Sequence, residues 1–113
     1  MKKDARFQMK KYGKSMAAKL KVIWSERAVT DLDLIYNYLL EEWSSKEANA
    51  FLDLVQEFIR LIVQYPNAFA VSKKIKACRL GLIHKNVTAV YSVSKNGIHI
   101  VTLFDNRSIS KYR

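Results

Sequence analysis

The sequence predicts an α+β domain of order β-α-α-β-β-β, an antiparallel sheet meander with a helical hairpin packed on one face. Three observations carry that expectation. Two apolar stripes of helical period fill residues 25–65, with a serine-rich break between them. Three segments rich in β-branched and aromatic residues follow Pro66. One short alternating segment precedes the helices.

Residues 20–24 read as the first strand, with Leu20, Val22 and Trp24 on one face and Lys21 and Ile23 on the other. Ser25 is placed to cap a helix, and Glu26 suits the positive end of its dipole. Ala28, Leu32, Ile35, Tyr36, Leu39, Leu40 and Trp43 recur at three- and four-residue steps, while Asp31, Asp33, Asn37, Glu41 and Glu42 take the other face. In "SSKE", Ser44 and Glu47 fit a capping box that opens a second helix. Its stripe is Ala48, Phe51, Leu52, Val55, Phe58, Ile59 and Ile62. Pro66 ends it and forces Tyr65 out of helical geometry. The short link makes the pair an antiparallel hairpin. Residues 76–83, 87–93 and 98–104 then read as strands, and Asn96-Gly97 as a hairpin turn between the last two.

A chain of 113 residues, half of them apolar, builds one domain with its own core. We divide it into a basic, mobile tail over residues 1–18 and a single domain over 19–113. A third methionine, Met16, stands just before the first strand. The single cysteine, Cys78, forms no intrachain disulfide. No apolar run approaches the roughly 18 residues of a membrane span. The expectation is a soluble, cytoplasmic protein that uses no membrane.

The formal net charge of +10 is unevenly spread. Residues 1–21 hold eight Lys/Arg and one acid, residues 22–59 two against eight, and residues 60–113 ten against one. An acidic middle beside a basic second half is a dipolar molecule, whose basic face attracts phosphate or an acidic protein.

The common enzyme motifs (P-loop, G-x-G-x-x-G, G-x-S-x-G, H-E-x-x-H) are absent. His84, His99 and Cys78 lack metal-ligand spacing, so we expect no metal and no cofactor. The cations of "VSKKIKACRLGLIHKN" remain. Lys73, Lys74 and Lys76 form a loop-and-edge cluster that either discourages strand aggregation or, with Lys85, binds RNA. Arg79, flanked by apolar residues, is a candidate binding residue. His84 is either a solvated turn residue or a proton donor near a phosphate. Tyr91 is either sheet packing or a stacking platform. Arg107 either pairs with Asp105 or offers a guanidinium at the sheet's end. Residues of these types can cleave RNA without metal: one takes the 2′-hydroxyl proton, cations hold the phosphorane charge and an acid protonates the leaving oxygen.

Element order and residues together resemble the RelE/ParE family of bacterial type II toxins. The resemblance rests on "VIWSERAVTDLDLIYNYL", Trp43, the helix over residues 51–62, Pro66, Arg79, "AVYSV" around Tyr91 and "IHIVTLFDNRS", and it spans residues 20–108. It implies a β-α-α-β-β-β fold and an acidic cognate antitoxin. It also implies one of two targets: the ribosome, where members cleave mRNA in the decoding site, or DNA gyrase. Ribosome-dependent cleavage is the first expectation, with Arg79, Arg107, His84 and Tyr91 as the catalytic set and Lys73, Lys74, Lys76 and Lys85 on RNA. Tyr112 also falls at a position where RelE-like nucleases carry an aromatic residue. Thr88, three before Tyr91, stands where their pattern has arginine, and His84 is not at the C-terminus, where YoeB-like members keep their catalytic histidine. A gyrase inhibitor without chemistry, or a non-toxic member of the family, are the alternatives.

Overall fold

The protein is described by a computed structural model, and the structure describes residues 20–106. The basic tail expected over residues 1–18 lies outside them. The elements are β1 (Lys21–Trp24), α1 (Glu26–Glu42), α2 (Ser45–Gln64), β2 (Arg79–His84), β3 (Val87–Ser94) and β4 (Gly97–Asp105). This is the expected α+β order.

Local chemistry explains the helix ends. The Ser25 hydroxyl accepts from the Ala28 N–H at 2.9 Å. It also donates to the Val101 carbonyl at 2.7 Å, so one side chain caps α1 and fastens it to β4. The Trp43 and Ser44 N–H groups both bond the Leu39 carbonyl and close α1. The Ser44 hydroxyl accepts from the Glu47 N–H at 3.2 Å and opens α2. The Tyr65 N–H bonds the Leu61 carbonyl just before Pro66 stops the helix.

The sheet order is β1-β4-β3-β2. The antiparallel meander is β2-β3-β4, and β1 joins β4 in parallel with Lys21 opposite Gly97. The helical hairpin carries the chain from β1 to β2 at the opposite edge of the sheet, and the meander then returns β4 to β1. Gly97 meets the needs of that seam. Its φ is +149°, and a Cβ there would run into the Lys21 carbonyl. The tight turn itself falls on Lys95 and Asn96, one residue earlier than the sequence indicates, with Ser94 paired to Gly97.

The main core lies between the hairpin and one sheet face. Leu32, Phe51, Val55, Phe58, Ile59 and Ile62 pack on Ala89, Tyr91, Ile98, Ile100 and Leu103. Gly81 on β2 lets the Phe58 ring approach, since a Cβ would stand 2.5 Å from its Cε1. A smaller cluster of Cys78, Val90 and Phe104, with Ile75 and Leu80, forms on the other face.

Three sequence readings are corrected. The segment expected over residues 76–83 begins as a strand at Arg79, not at residue 76, because the Ser72 hydroxyl accepts from the Lys74 and Ile75 N–H groups and folds them into a turn. Ala77 there takes φ 64°, which a strand excludes. Trp43, assigned to the buried stripe, is 68% exposed at the end of α1. Asp31, assigned to the solvent face, turns to the sheet. Its Oδ2 accepts from the Thr102 hydroxyl at 2.5 Å and the Leu103 N–H at 3.1 Å. Val90 faces Thr102 and Tyr91 faces Ile100, so Val101 is the extra residue of a bulge. Asp31 and Ser25 together satisfy backbone groups at that bulge, including the Ser25 N–H to the Ile100 carbonyl at 3.0 Å.

Candidate functional site

Arg79 and Tyr91 are directly opposite each other on β2 and β3. The structure brings these two members of the expected catalytic set together, and both hold the loop that follows α2. The Tyr91 side chain is fully buried, and its hydroxyl donates to the Pro66 carbonyl at 2.9 Å. Arg79 Nη1 donates to the Phe69 carbonyl at 2.6 Å. Phe69 packs its ring against Phe58 and Tyr91, with centroids 5.5 and 6.5 Å away. The Leu80 N–H to the Ala70 carbonyl and the Ser72 N–H to the Cys78 carbonyl continue the seam. Burial pushes the Tyr91 hydroxyl's pKa up. The Arg79 charge and a backbone hydrogen bond at Phe69 pull it down by less.

His84 stands at the other end of β2, roughly 17 Å from Arg79 along the strand. Its Nδ1 accepts from the Asn86 N–H at 3.1 Å, which commits that nitrogen to the Lys85-Asn86 turn. Asn106 locks the end of β4 to the same turn. Its N–H bonds the Asn86 carbonyl at 3.0 Å, its amide donates to the Lys85 carbonyl at 2.5 Å, and the Thr88 hydroxyl donates to its Oδ1. Thr88 is therefore a structural partner of the strand end. Arg107 and Tyr112 lie outside the described residues. Lys73, Lys74 and Lys76 are exposed on the turn that precedes β2, and Lys85 is exposed beside His84. The lysine turn is seated by Ile75, which packs on the second cluster.

Cys78 is buried, and burial raises its thiol pKa, so it remains an uncharged thiol. Among the described residues no three His, Cys, Asp or Glu side chains gather closely enough to hold a metal ion. No described helix is long and apolar enough to cross a membrane.

One feature escaped the sequence reading. A groove of about 890 Å³ lies between the hairpin and the β2–β3 turn. Leu34, Tyr38, Trp43 and Leu54 line it, and Leu34 and Tyr38 are 64% and 58% exposed. The available signal was that pair, spaced four apart among the acidic residues of the polar face of α1.

The pattern of the family described as the ParE toxin of the type II toxin-antitoxin system, parDE, matches residues 22–109. Among solved structures, the chain is similar to the chromosomal ParDE TA system from P. aeruginosa. That similarity has 20% identity and a TM-score of 0.65, and covers 77% of this chain and 96% of that one. A YoeB dimer from Staphylococcus aureus is similar at 20% identity and a TM-score of 0.54, over 77% and 97% of the two chains. The YoeB/ParE toxin from Agrobacterium tumefaciens is similar at 15% identity and 0.53, over 76% and 98%. At these identities the structural likenesses show the shared fold. No curated protein matches the chain. The family pattern covers both helices and all four strands, and the chain belongs to the ParE family of type II toxin–antitoxin toxins.

Proposed function

We propose that this toxin arrests growth by binding its target, DNA gyrase, without cutting a bond. The observation that carries this reading is that two of the described candidate catalytic residues are engaged in holding backbone and the third lies apart from them. Tyr91 is buried with its hydroxyl on Pro66, Arg79 is hydrogen-bonded to Phe69, and His84 lies at the far end of β2. General acid–base catalysis needs its groups within hydrogen-bond reach of one substrate. A surface that binds needs only exposed complementary groups, and Lys73, Lys74, Lys76 and Lys85 supply them. The match to the ParE pattern supports the same choice. Neutralisation falls to a cognate antitoxin, acidic enough to cover the lysine turn. The ParDE and YoeB-YefM assemblies among the similar structures support such a partner.

Cleavage of ribosome-bound mRNA is the second reading, supported by the exposed lysines beside Arg79. One experiment separates the two. The chain is induced without its antitoxin, and transcript ends and chromosome breaks are mapped in the same cells. Breaks that disappear in a gyrase-resistant background, with transcripts intact, are expected. Messages cut within codons would replace this reading with the second. Unimpeded growth with soluble chain accumulating would point to a non-toxic member.

A further inference from the structure

The groove on the helical hairpin combines two features that rarely coexist on a free surface. It exposes large apolar side chains, with Trp43 at 68%, Leu34 at 64% and Tyr38 at 58%. Its surroundings are acidic. The two helices carry every acid of the described residues except Asp105, eight in all, against Arg27, Lys46 and Arg60. Glu47 lines the groove, and Glu41 and Glu42 precede Trp43 at the same end of the hairpin. No ion pair engages these three glutamates among the described residues. At the far rim Asp105 stands with His84 and Lys85, so the acids gather at the glutamate end. An acidic segment would be repelled at the glutamate end, so the occupant that fits is apolar and cationic.

The chain contains such a segment. Residues 1–19 carry seven Lys/Arg and one acid, with Phe7, Met9, Tyr12 and Met16 interspersed. We propose that residues 1–19 dock in cis on this groove, their apolar side chains over Trp43 and Tyr38 and their cations against Glu41, Glu42 and Glu47. Reach permits it. The segment joins the domain at Leu20, just before Lys21 meets Gly97. The groove lies toward Val87 and Asp105, at the other end of β4. Nine-residue β4 spans about 30 Å, and the eleven residue steps from Met9 to Leu20 extend over about 36 Å. Attachment through the same chain supplies a high effective concentration, so weak contacts suffice. Charge pairing at an exposed rim makes the contact sensitive to salt.

Trp43 reports on its own cover. Replacing Trp24 by Phe leaves Trp43 as the sole tryptophan and sacrifices no hydrogen bond, because Trp24 Nε1 has no partner. Acrylamide quenching is then compared between the 113-residue chain and a chain that starts at Met16. At low salt the longer chain is expected to be quenched about half as strongly, and the difference to vanish at about 0.5 M salt. It is also expected to vanish in the Glu41→Gln, Glu42→Gln, Glu47→Gln variant. Equal quenching of the two lengths at low salt overturns the proposal. Should the Trp24→Phe chain fail to fold, carbodiimide crosslinking of the unaltered chain gives the answer. Links from Lys10 or Lys11 to Glu47 within one molecule support docking in cis. Links only between a heavy-isotope and a light chain assign the groove to a second copy and overturn it, as does the absence of any link from residues 1–19.

Discussion

Two regions of this small domain reverse the roles their residue types suggest. At the loop after α2, an arginine and a tyrosine of the kind that do chemistry are spent on holding backbone. Tyr91 reaches Pro66 and Arg79 reaches Phe69. On the helical hairpin, leucine, tyrosine and tryptophan of the kind that build cores face solvent at Leu34, Tyr38 and Trp43. The comparison teaches that residue type ranks candidates poorly. What a side chain does depends on whether folding leaves it an unsatisfied surface or consumes it.

The largest expected effect tests the first region. Tyr91→Ala removes a fully buried ring that contacts Phe58 and Phe69, and is expected to cost about 3–5 kcal/mol in denaturant unfolding. A loss under about 1 kcal/mol would show that the ring is not part of the core. Next, Asp31→Ala leaves the Leu103 N–H and the Thr102 hydroxyl without their acceptor and is expected to cost about 1–3 kcal/mol. Its pair with Arg27 adds little, because the arginine is 71% exposed. Rapid hydrogen exchange at Leu103 in the variant, measured by NMR, would locate the damage at the bulge.

Tyr91→Phe sharpens the comparison at a smaller scale. It removes only the bond to Pro66, at an expected cost of about 1 kcal/mol, and toxicity is expected to persist. Loss of toxicity in the stable variant would return the hydroxyl to a chemical role. The same variant has a pH signature. The folded pKa of Tyr91 lies above its ordinary 10.0, so its contribution is complete below pH 10 and is lost as pH rises through the folded pKa. Cys78 acts with the same sign from 9.0 upward. Stability is expected to fall on the alkaline side, and less steeply in Tyr91→Phe. The smallest effect tests the second region. Trp43→Ala, although it deletes the largest type of side chain, is expected to change the stability of a chain starting at Met16 by less than about 0.5 kcal/mol. A core-sized loss would mean that Trp43 is buried in solution.

The helical hairpin was legible from residue spacing, because burying one face of a helix leaves a period that needs no partner to be read. Leu32, Phe51, Val55 and Ile59 illustrate it. The serine caps were legible too, since a cap is a contact across three residues. The strand start at residue 79 was not, because a serine-capped turn competes locally with strand pairing and wins at Ser72.

What the sequence determined alone is therefore what short-range chemistry determines: two capped amphipathic helices, a β-rich second half, a chain of strongly uneven charge, and the family likeness carried by their order. The tertiary structure decided the rest. It placed β1 parallel to β4, turned Asp31 inward to a bulge seventy residues away in sequence, buried Tyr91, separated His84 from Arg79 and left Trp43 outside. Each of these depends on which distant segment becomes a neighbour. Desolvation and hydrogen-bond satisfaction act between spatial neighbours, and a linear spacing does not contain them.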